Sequence, residues 1–573
     1  MGNANCLAVP AKRDLSKKRK PLPIDSIFKL PSAVPSLPPG DGFASGRIGL
    51  GGIQVCQIST FYKVWATHEG GPGNLGATFF EPSPIPEGFH MLGCYSQPNN
   101  KPLFGWALAA KDDSGDESTN GSALSKPVDY SLVWSSESLK IKQDNNAYVW
   151  LPTPPDGYKA VGVIITESPQ KPPLEKVRCV RTDLTEPCEM ESWIWGPGKE
   201  SDANGFNVYT LRPTNRGTQA LGVAVGTFSA QIGGTNALPP SMACLRNANN
   251  SNKVHSSMPN LAQIEAIFRA YAPLVYFHPD EKYLPSSVTW YFTNGALLYK
   301  RGEESNPTAV APTGSNLPQG GANDGEYWLD LPKDEKEKDR VKRGDLSSAQ
   351  VYLHAKPMFG STFTDIAVWV FYPFNGPARA KVGVFTVGLG KIGEHIGDWE
   401  HMTLRVSNFN GELWKLYLSE HSKGTWVEAS ELEFSENNGG SGGGGKRPVA
   451  YASLSGHALY AKPGTVMQGN GVIGIRNDTA KSKIVMDTGA KFEVAAAEYL
   501  AAAEPPWVNY LRKWGPKIDY DTKEEAEKVE KMLPGRLKTA FKKFIDGLPN
   551  EFFGEDGPTG PKVKANWIGD EET

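Results

Sequence analysis

Five ionisable side chains fall within ten positions at residues 393–402, GEHIGDWEHM. The run HMTLRVS, which begins at His401, alternates as a β-strand does, and the alternation extends back to Asp398. Asp398 and Glu400 then lie on one face of the strand, roughly 7 Å apart, while His401 lies on the other face. Two carboxylates at that distance repel each other unless a cation lies between them or one of them is protonated.

A metal site would satisfy this condition. The Ile-Gly pair after His395 can turn the imidazole toward the carboxylates, so we predict that His395, Asp398 and Glu400 hold a divalent cation. Oxygen donors with a single nitrogen suit Mg²⁺, Ca²⁺ or Mn²⁺ better than a structural zinc.

Two other interpretations of the same residues stay open. The first is a charged rim satisfied by hydrogen bonds to loop backbone, and the second is a general acid–base pair of Asp398 and Glu400. No nucleophile accompanies the second interpretation. Ser455 and His457 lie two residues apart, but no Gly-x-Ser-x-Gly elbow is present and the sequence assigns them no carboxylate partner.

The chain that must position this cluster has 573 residues, enough for two or three domains. Its 61 Gly, 45 Pro and 10% aromatic residues indicate a turn-rich, mainly β fold. The charge is nearly balanced, with 60 Lys and Arg against 63 Asp and Glu, so we expect no nucleic-acid partner. The six cysteines lie in the first half and form no CxxC pair, which favours a reducing, cytoplasmic compartment.

The first twenty residues carry signals for membrane attachment. Gly2 follows Met1, Cys6 lies close behind it, and six Lys and Arg residues follow between positions 12 and 20. We predict N-myristoylation of Gly2 and palmitoylation of Cys6 beside this basic patch, because two such signals hold a protein on a membrane where one does not. The alternative is an unmodified basic tail. No apolar run is long enough to span a bilayer, so the expected location is peripheral to the plasma, endosomal or vacuolar membrane.

Three repeats follow a disordered basic segment predicted for residues 1–45. Each repeat starts with a strand that ends in Trp65, Trp134 or Trp195, and each reaches a Gly at a near-constant separation, at Gly93, Gly162 and Gly222. Three small sheets with one apolar face each bury those faces together, so residues 46–245 are predicted to form a three-fold β-prism with the tryptophans in its core.

Residues 246–260 are polar and are predicted to be a linker. Asn260 can cap a helix over LAQIEAIFRAYA, and aromatic and β-branched runs such as VTWYF and DIAVWVFYPF then indicate strands. The charged run KDEKEKDRVKRGD is predicted to be a solvated surface segment. Residues 261–573 are therefore expected to form a β-sandwich with a C-terminal helical extension.

HIGDWEH, preceded by VWVFYPFNGP and followed by YASLSGHALY, resembles the core of the necrosis-inducing protein family. The resemblance implies a single β-sandwich in which a His, an Asp and a Glu line a cation-holding cavity together with a further Asp. His395, Asp398 and Glu400 keep that spacing. The further Asp falls on Asn375, whose amide oxygen is able to ligate but brings no negative charge.

A longer resemblance covers most of residues 45–573. YAPLVYFHPDEKYLPSSV, HIGDWEHMTLRVSNFNGELW, RNDTAKSK and EDGPTGPKVKANW resemble a plant family of vacuolar protein sorting-associated protein 62-like proteins. The N-terminal repeats are similar to β-prism domains of endosomal sorting, which bind acidic lipids. The resemblance implies a role in vacuolar or endosomal protein transport.

These observations together predict a peripheral membrane protein that binds lipid or glycan headgroups on an anionic membrane surface, assisted by a cation. Two alternatives remain: a metal-dependent hydrolase acting on a lipid or glycan, and a membrane-perturbing defence protein.

Overall fold

The computed structural model describes residues 21–115, 121–202, 205–233, 238–252, 255–420, 423–436, 445–469, 473–518, 520–547 and 557–572. Strands dominate both halves of the chain, and helices are few and short. The first half contains β1 (Arg47–Gly49), β2 (Ile53–Ile58), β3 (Phe61–Ala66), β4 (Ala77–Pro82), β5 (His90–Met91), β6 (Tyr95–Pro98), β7 (Ala107–Asp112), β8 (Leu124–Ser125), β9 (Asp129–Ser135), β10 (Tyr148–Thr153), β11 (Tyr158–Lys159), β12 (Ile164–Thr166), β13 (Cys179–Arg181), β14 (Thr185–Glu186), β15 (Cys188–Trp195), β16 (Phe206–Pro213), β17 (Gly222–Val223), β18 (Phe228–Ile232) and β19 (Cys244–Arg246).

The three predicted repeats form three similar three-stranded sheets, in the orders β3-β4-β6, β9-β10-β12 and β15-β16-β18. Each sheet begins with the strand that carries its tryptophan. Trp65, Trp134 and Trp195 meet edge to face, with ring centroids 5.7 to 6.1 Å apart. The shared aromatic core explains why the three sheets must pack around one axis.

The remaining strands of this half form three further small sheets, in the orders β1-β2-β7-β5, β8-β13-β11 and β14-β19-β17. Their buried residues form a second apolar core, which includes Leu50, Val55 and Leu108. Phe363 and Phe409 from the second half of the chain belong to the same core. The prism and the second half are therefore packed together.

The second half contains β20 (Leu274–Tyr276), β21 (Leu297–Lys300), β22 (Thr308–Ala309), β23 (Tyr327–Asp330), β24 (Val351–Met358), β25 (Phe363–Asn375), β26 (Arg379–Val382), β27 (Phe385–Gly388), β28 (His395–Ser407), β29 (Leu413–Ser419), β30 (Gly424–Glu428), β31 (Val449–Ala452), β32 (Leu459–Tyr460), β33 (Gly464–Gly469), β34 (Ile473–Thr479), β35 (Val485–Asp487) and β36 (Phe492–Ala496). Its helices are α1 (Leu261–Tyr271), α2 (Val288–Thr293), α3 (Glu335–Lys342), α4 (Thr522–Met532) and α5 (Gly535–Asp546).

A six-stranded sheet, β30-β29-β28-β25-β24-β36, is the centre of this half. One of its faces packs on the four-stranded sheet β32-β31-β20-β35 and on α1 through a core of aliphatic side chains. The other face packs on α2 and on an aromatic group that includes Trp507, Trp514 and Trp567. The prediction of a mainly β fold, a three-fold prism followed by a sandwich with peripheral helices, is confirmed.

Two predicted segments differ from the structure. Residues 21–45, assigned to a disordered segment, lie against the folded chain, with Ile24, Ser32 and Phe43 buried. The predicted linker at residues 246–260 also packs: Asn247 is buried and donates a hydrogen bond to the Gly360 carbonyl, 2.6 Å away. Polar side chains satisfy loop backbone in both segments, and composition alone does not reveal such pairing. The domain bounds themselves stay predictions, because the two halves share a core.

One local prediction was wrong. VTWYF forms α2 instead of a strand, because Ser287 caps it by accepting a hydrogen bond from the backbone of Trp290. The charged run lies at the surface with most of its side chains exposed, as predicted, and it forms the helix α3, capped by Asp334, with Val341 buried beneath it. Within the described ranges, helices long and apolar enough to cross a bilayer are absent.

Candidate functional site

The candidate cluster lies where β28 enters the sandwich. In the pairing of β25 with β28, Tyr372 is opposite Asp398, Val370 is opposite Glu400 and Asn375 is opposite His395. Val370 and Tyr372 belong to the core between the two sheets, so Asp398 and Glu400 lie on that face, as the alternation predicts. The backbone of Gly397 is left-handed, with φ +67°, and a Cβ there would lie 2.5 Å from the Trp514 carbonyl oxygen.

Asp398 is paired with His457, from the loop between β31 and β32. Its carboxylate is 3.1 Å from Nδ1 of His457, whose Nε2 donates to the Tyr283 carbonyl at 2.9 Å. The imidazole is fully buried and stacks on Tyr372 with ring centroids 3.9 Å apart. Burial alone would raise the pKa of Asp398, but the hydrogen bond from His457 and the charge of His395 lower it overall. Asp398 is thus held in its ionised form.

Glu281 fixes the two loops that hold His457. Its carboxylate accepts backbone hydrogen bonds from Lys282 and Tyr283 at 2.9 Å and from Ser455 at 2.7 Å. Ser455 and His457 both adopt positive φ values, 70° and 58°. Glu281 therefore stabilises an unusual backbone conformation that turns the imidazole toward Asp398.

Glu400 differs from Asp398 in its surroundings. It is half-buried and accepts a hydrogen bond from Ser419. Burial, followed by the charge of Asp398, raises the pKa of Glu400 well above its usual value. The cluster thus contains an ionised carboxylate and a carboxyl group whose neutral form is favoured.

Two buried tyrosines lie close to this cluster. Burial and then the charges of Glu400 and Asp398 raise the pKa of Tyr372, and burial followed by the charges of Glu420 and Glu400 does the same for Tyr460. Both rings are buried, and among the described residues neither hydroxyl has a hydrogen-bond partner. Because buried polar groups are normally hydrogen-bonded, these two hydroxyls mark the cluster as a place suited to polar contacts.

The other two predicted ligands are engaged locally. Nδ1 of His395 is 3.1 Å from the Gly397 carbonyl oxygen, and burial lowers the pKa of this histidine. The amide of Asn375 donates to the carbonyls of Gly376 at 3.1 Å and Gly393 at 2.7 Å. Lys564, from the C-terminal segment, adds a positive charge that acts on His395, Asp398 and Glu400.

The donors as placed do not form a metal centre. Over the described part of the chain, no three His, Cys, Asp or Glu side chains converge as a metal ion requires. Asp398 is held by His457 and Glu400 by Ser419, so each would have to leave its present partner to bind a cation. The predicted divalent cation at His395, Asp398, Glu400 and Asn375 stays a prediction.

His401, on the opposite face, takes part in a different contact. Its Nε2 is 3.0 Å from the Glu571 carboxylate, and its ring stacks on Trp369 at 4.5 Å. Because Glu571 belongs to the C-terminal segment, His401 positions that segment on the sheet. Gly2 and Cys6, the predicted acylation sites, lie outside the described residues.

Sequence reasoning missed Glu281, Tyr372 and His457. HPDEKYLP and the later SGH contain two of them, and the motifs were noted, but nothing in their spacing shows that both loops reach β28. The pairing depends on positive φ values at Ser455 and His457, which side-chain periodicity does not predict.

Comparison with known proteins places the chain in a family. The family model described as vacuolar protein sorting-associated protein 62 matches residues 24–571. The chain belongs to this family. The name of the family associates it with vacuolar protein sorting.

Two yeast relatives from Saccharomyces cerevisiae are similar over part of the chain. The vacuolar protein sorting-associated protein TDA6 is 26% identical over 234 residues, which is 34% of this chain and 46% of that protein. Vacuolar protein sorting-associated protein 62 is 24% identical over 216 residues, 34% of this chain and 44% of that protein. The chain spans about half the length of the curated relatives it matches. Because both are from yeast, the expected plant source stays a prediction.

Solved structures of two proteins are similar at low scores. GNIP1Aa from Chromobacterium piscinae has a TM-score of 0.27 at 20% identity, over 37% of this chain and 40% of that one. Necrosis and Ethylene inducing Protein 2, from the causal agent of cocoa's Witches Broom disease, has a TM-score of 0.15 at 18% identity, over 33% of this chain and 74% of that one. Structural similarity this low does not indicate a function for this chain.

Proposed function

We propose that this chain is a peripheral membrane protein of vacuolar sorting whose site at Asp398 and Glu400 binds the hydroxyl groups of a sugar or inositol headgroup. The observation that carries the proposal is the pair of buried tyrosine hydroxyls of Tyr372 and Tyr460, which have no hydrogen-bond partner in the described chain. Tyr372 is the cross-strand partner of Asp398, and Tyr460 lies on β32, which contacts the strand that carries Glu400. A polyol supplies both donors and acceptors at close spacing, which matches this mixed set.

The charges of the site favour hydroxyl groups over phosphate. The ionised Asp398 accepts hydrogen bonds from hydroxyls, whereas a fully ionised phosphate has no proton to donate to it. Glu400 with a proton both donates and accepts, and Ser419 stands beside it. A phosphoinositide or glycolipid would therefore present its ring, with the phosphate or lipid tail outside.

Vesicle binding tests the proposal. Full-length protein is floated with phosphatidylcholine vesicles that contain or lack a neutral galactolipid, and with vesicles of phosphatidylinositol and of phosphatidylserine at equal charge. We expect stronger binding to galactolipid than to phosphatidylcholine and to phosphatidylinositol than to phosphatidylserine, and we expect Asp398→Asn to lose both preferences. Glu335→Gln, an exposed change on α3, is the matched control. Equal binding by wild type and Asp398→Asn would show that the site is not involved, and release of sugar from the galactolipid would favour the hydrolase alternative.

The divalent cation is a separate part of this proposal. Two carboxyl groups, an imidazole and an amide oxygen are a suitable donor set for Mg²⁺, Ca²⁺ or Mn²⁺ once their present partners are released. Metal analysis of the purified chain, with Asp398→Ala as control, tests it. A stoichiometric metal lost in the variant supports the cation, whereas metal-free wild type that still binds headgroups shows that the hydroxyl contacts suffice.

Membrane attachment through the N-terminus belongs to the same proposal. Gly2→Ala should release the protein from cell membranes if the acyl groups at Gly2 and Cys6 hold it there. Unchanged membrane fractionation would assign attachment to other surfaces.

A further inference from the structure

The hairpin of β26 and β27 exposes apolar side chains at its tip. Val384 is 91% exposed and Phe385 is 46% exposed, and Val384 is the most exposed large apolar side chain of the described residues. A single exposed apolar residue is common at a protein surface. Val384 and Phe385, however, are adjacent at the end of the hairpin and together form a small exposed apolar patch.

The hairpin is fixed to the molecule. β26 pairs with β34 through Ala380, Lys381 and Val382. At the turn, Leu537 of α5 packs on Gly383, where an added Cβ would lie 3.3 Å from its Cδ1 atom. The tip is therefore held in place by a sheet and a helix.

The helix that supports the tip is basic on its outer face. Its inner face buries Phe541 and Ile545 against β26 and β34. Arg536, Lys542 and Lys543 are exposed, and among the described residues none of them has an ion-pair partner. An apolar tip beside unpaired basic side chains has the chemistry of a surface that enters the headgroup region of an anionic bilayer.

The position of the hairpin links this surface to the candidate site. β25 ends at Asn375, the hairpin follows, and β28 begins at His395. The chain that forms the tip thus leaves the sandwich at Asn375 and re-enters it at His395, two residues of the predicted cluster.

We propose that Val384 and Phe385, together with Arg536, Lys542 and Lys543 of α5, form a docking surface for an anionic lipid bilayer. This inference rests on the proposed function, because it names the surface that presents the headgroup site to a membrane. The apolar tip enters the bilayer interface and the basic face of α5 lies on the lipid phosphates.

The test uses the full-length chain and vesicles without sugar or inositol headgroups: phosphatidylcholine alone, and phosphatidylcholine with phosphatidylserine. We expect wild type to float with the anionic vesicles and to dissociate as salt rises. Lys542→Glu/Lys543→Glu should lower the partition coefficient about fivefold for each lysine changed, since a basic residue near such a surface contributes on that scale. Val384→Asp/Phe385→Asp should lower it roughly tenfold or more.

Two controls isolate the surface. Leu132→Asp is a matched change at a half-exposed apolar position of the prism, and Lys336→Glu reverses one exposed charge on α3; neither should change binding. The N-terminal basic residues are the same in every variant, so they do not affect the comparison. Circular dichroism and the melting temperature confirm that each variant is folded.

The outcomes separate this inference from the proposed function. Two results would contradict the proposed docking surface. One is that the hairpin and α5 variants bind anionic vesicles as well as wild type does, and the other is that adding phosphatidylserine to the vesicles does not increase binding of wild type. If Asp398→Asn keeps binding to these vesicles and also keeps binding to galactolipid, the headgroup site is wrong and the docking surface stands.

Discussion

Both ring nitrogens of His457 face hydrogen-bond acceptors, the Asp398 carboxylate and the Tyr283 carbonyl. A carbonyl cannot donate, so Nε2 carries a proton and Nδ1 meets the Asp398 carboxyl group. The two side chains are thus a hydrogen-bonded imidazole–carboxyl pair buried together. Removing one partner of such a pair leaves an uncompensated charge in the interior, which is far more destabilising than the loss of an exposed ion pair.

Asp398→Asn and Glu400→Gln should therefore differ in stability. The first removes the buried carboxylate that His457 contacts and is expected to lower the free energy of unfolding by about 3–5 kcal/mol. The second replaces a carboxyl group whose neutral form burial already favours, so the loss should stay within about 1 kcal/mol. Urea denaturation at pH 7 measures both. Equal losses would mean that the charge of Asp398 is not needed at His457.

At the residue scale, the sequence correctly predicted which side chains share a face of a strand, because strand alternation determines this. Strand alternation alone placed Asp398 and Glu400 on one face and His401 on the other. It could not supply His457, whose contact with Asp398 depends on loop backbone, or the hydrogen bonds that occupy Asn375 and His395. Those depend on the positions of loops that no local pattern encodes.

At the scale of elements, the C-terminal segment at residues 557–572 is attached to the sheet through buried polar contacts. Arg405 donates to Asp365 at 2.8 Å and to Asp570 at 2.7 Å. Lys356, fully buried, donates to the Gly569 carbonyl at 3.1 Å and lies 3.6 Å from the Glu571 carboxylate. Glu571 also accepts from Thr403 at 2.6 Å. The segment is thus attached to the sheet by charges that are satisfied only while it is bound.

This attachment should weaken in acid. Burial alone would raise the pKa of Glu571, but the charges of Lys356 and His401 hold it well below its usual value. The pKa of Glu571 is lower in the folded protein than in the unfolded chain. The contribution of Glu571 to stability is therefore complete above the unfolded-state pKa of about 4.3 and is lost as the pH falls below that value.

Glu571→Gln should remove that pH-dependent component. We expect a loss of about 3–5 kcal/mol at pH 7, because the buried Lys356 loses its carboxylate partner and keeps only the carbonyls of Asn566 and Gly569. We also expect a shallower fall in stability between neutral and acid pH. Urea denaturation across that range measures it. Glu572→Gln, at the exposed neighbouring position, is the control. A variant that loses stability in acid as steeply as wild type would exclude Glu571 as the source.

Element prediction worked best where a repeat or a cap carried the information. The three tryptophans predicted three sheets, and Asn260 correctly marked the start of α1. VTWYF failed because its β-branched and aromatic composition favours a strand, yet the Ser287 cap and burial of Tyr291 and Phe292 stabilise a helix. In this short segment, capping and tertiary packing outweighed the strand propensity of the residues.

At the scale of the whole molecule, the prism and the sandwich share apolar surface. Phe104 of the prism half stacks on Trp414 of β29 with ring centroids 4.3 Å apart, and Trp106 lies 5.5 Å from Phe363. This contact could not be read from the sequence, where residues 246–260 appear as a polar spacer. The half of the chain that contains Asp398 and Glu400 and the prism are consequently packed together.

Such shared burial predicts coupled unfolding. Calorimetry of the full-length wild type should show one main transition, because exposing the prism core also exposes Phe363 and Phe409. Trp414→Ala should lower stability by roughly 3 kcal/mol and broaden the transition toward two steps, since it removes one of the rings that join the halves. Trp328→Ala removes a half-buried tryptophan that stacks on Tyr299 away from this contact, so it should lower stability without separating the transitions. Two independent transitions in wild type would show that the halves fold separately and that Trp414 does not couple them.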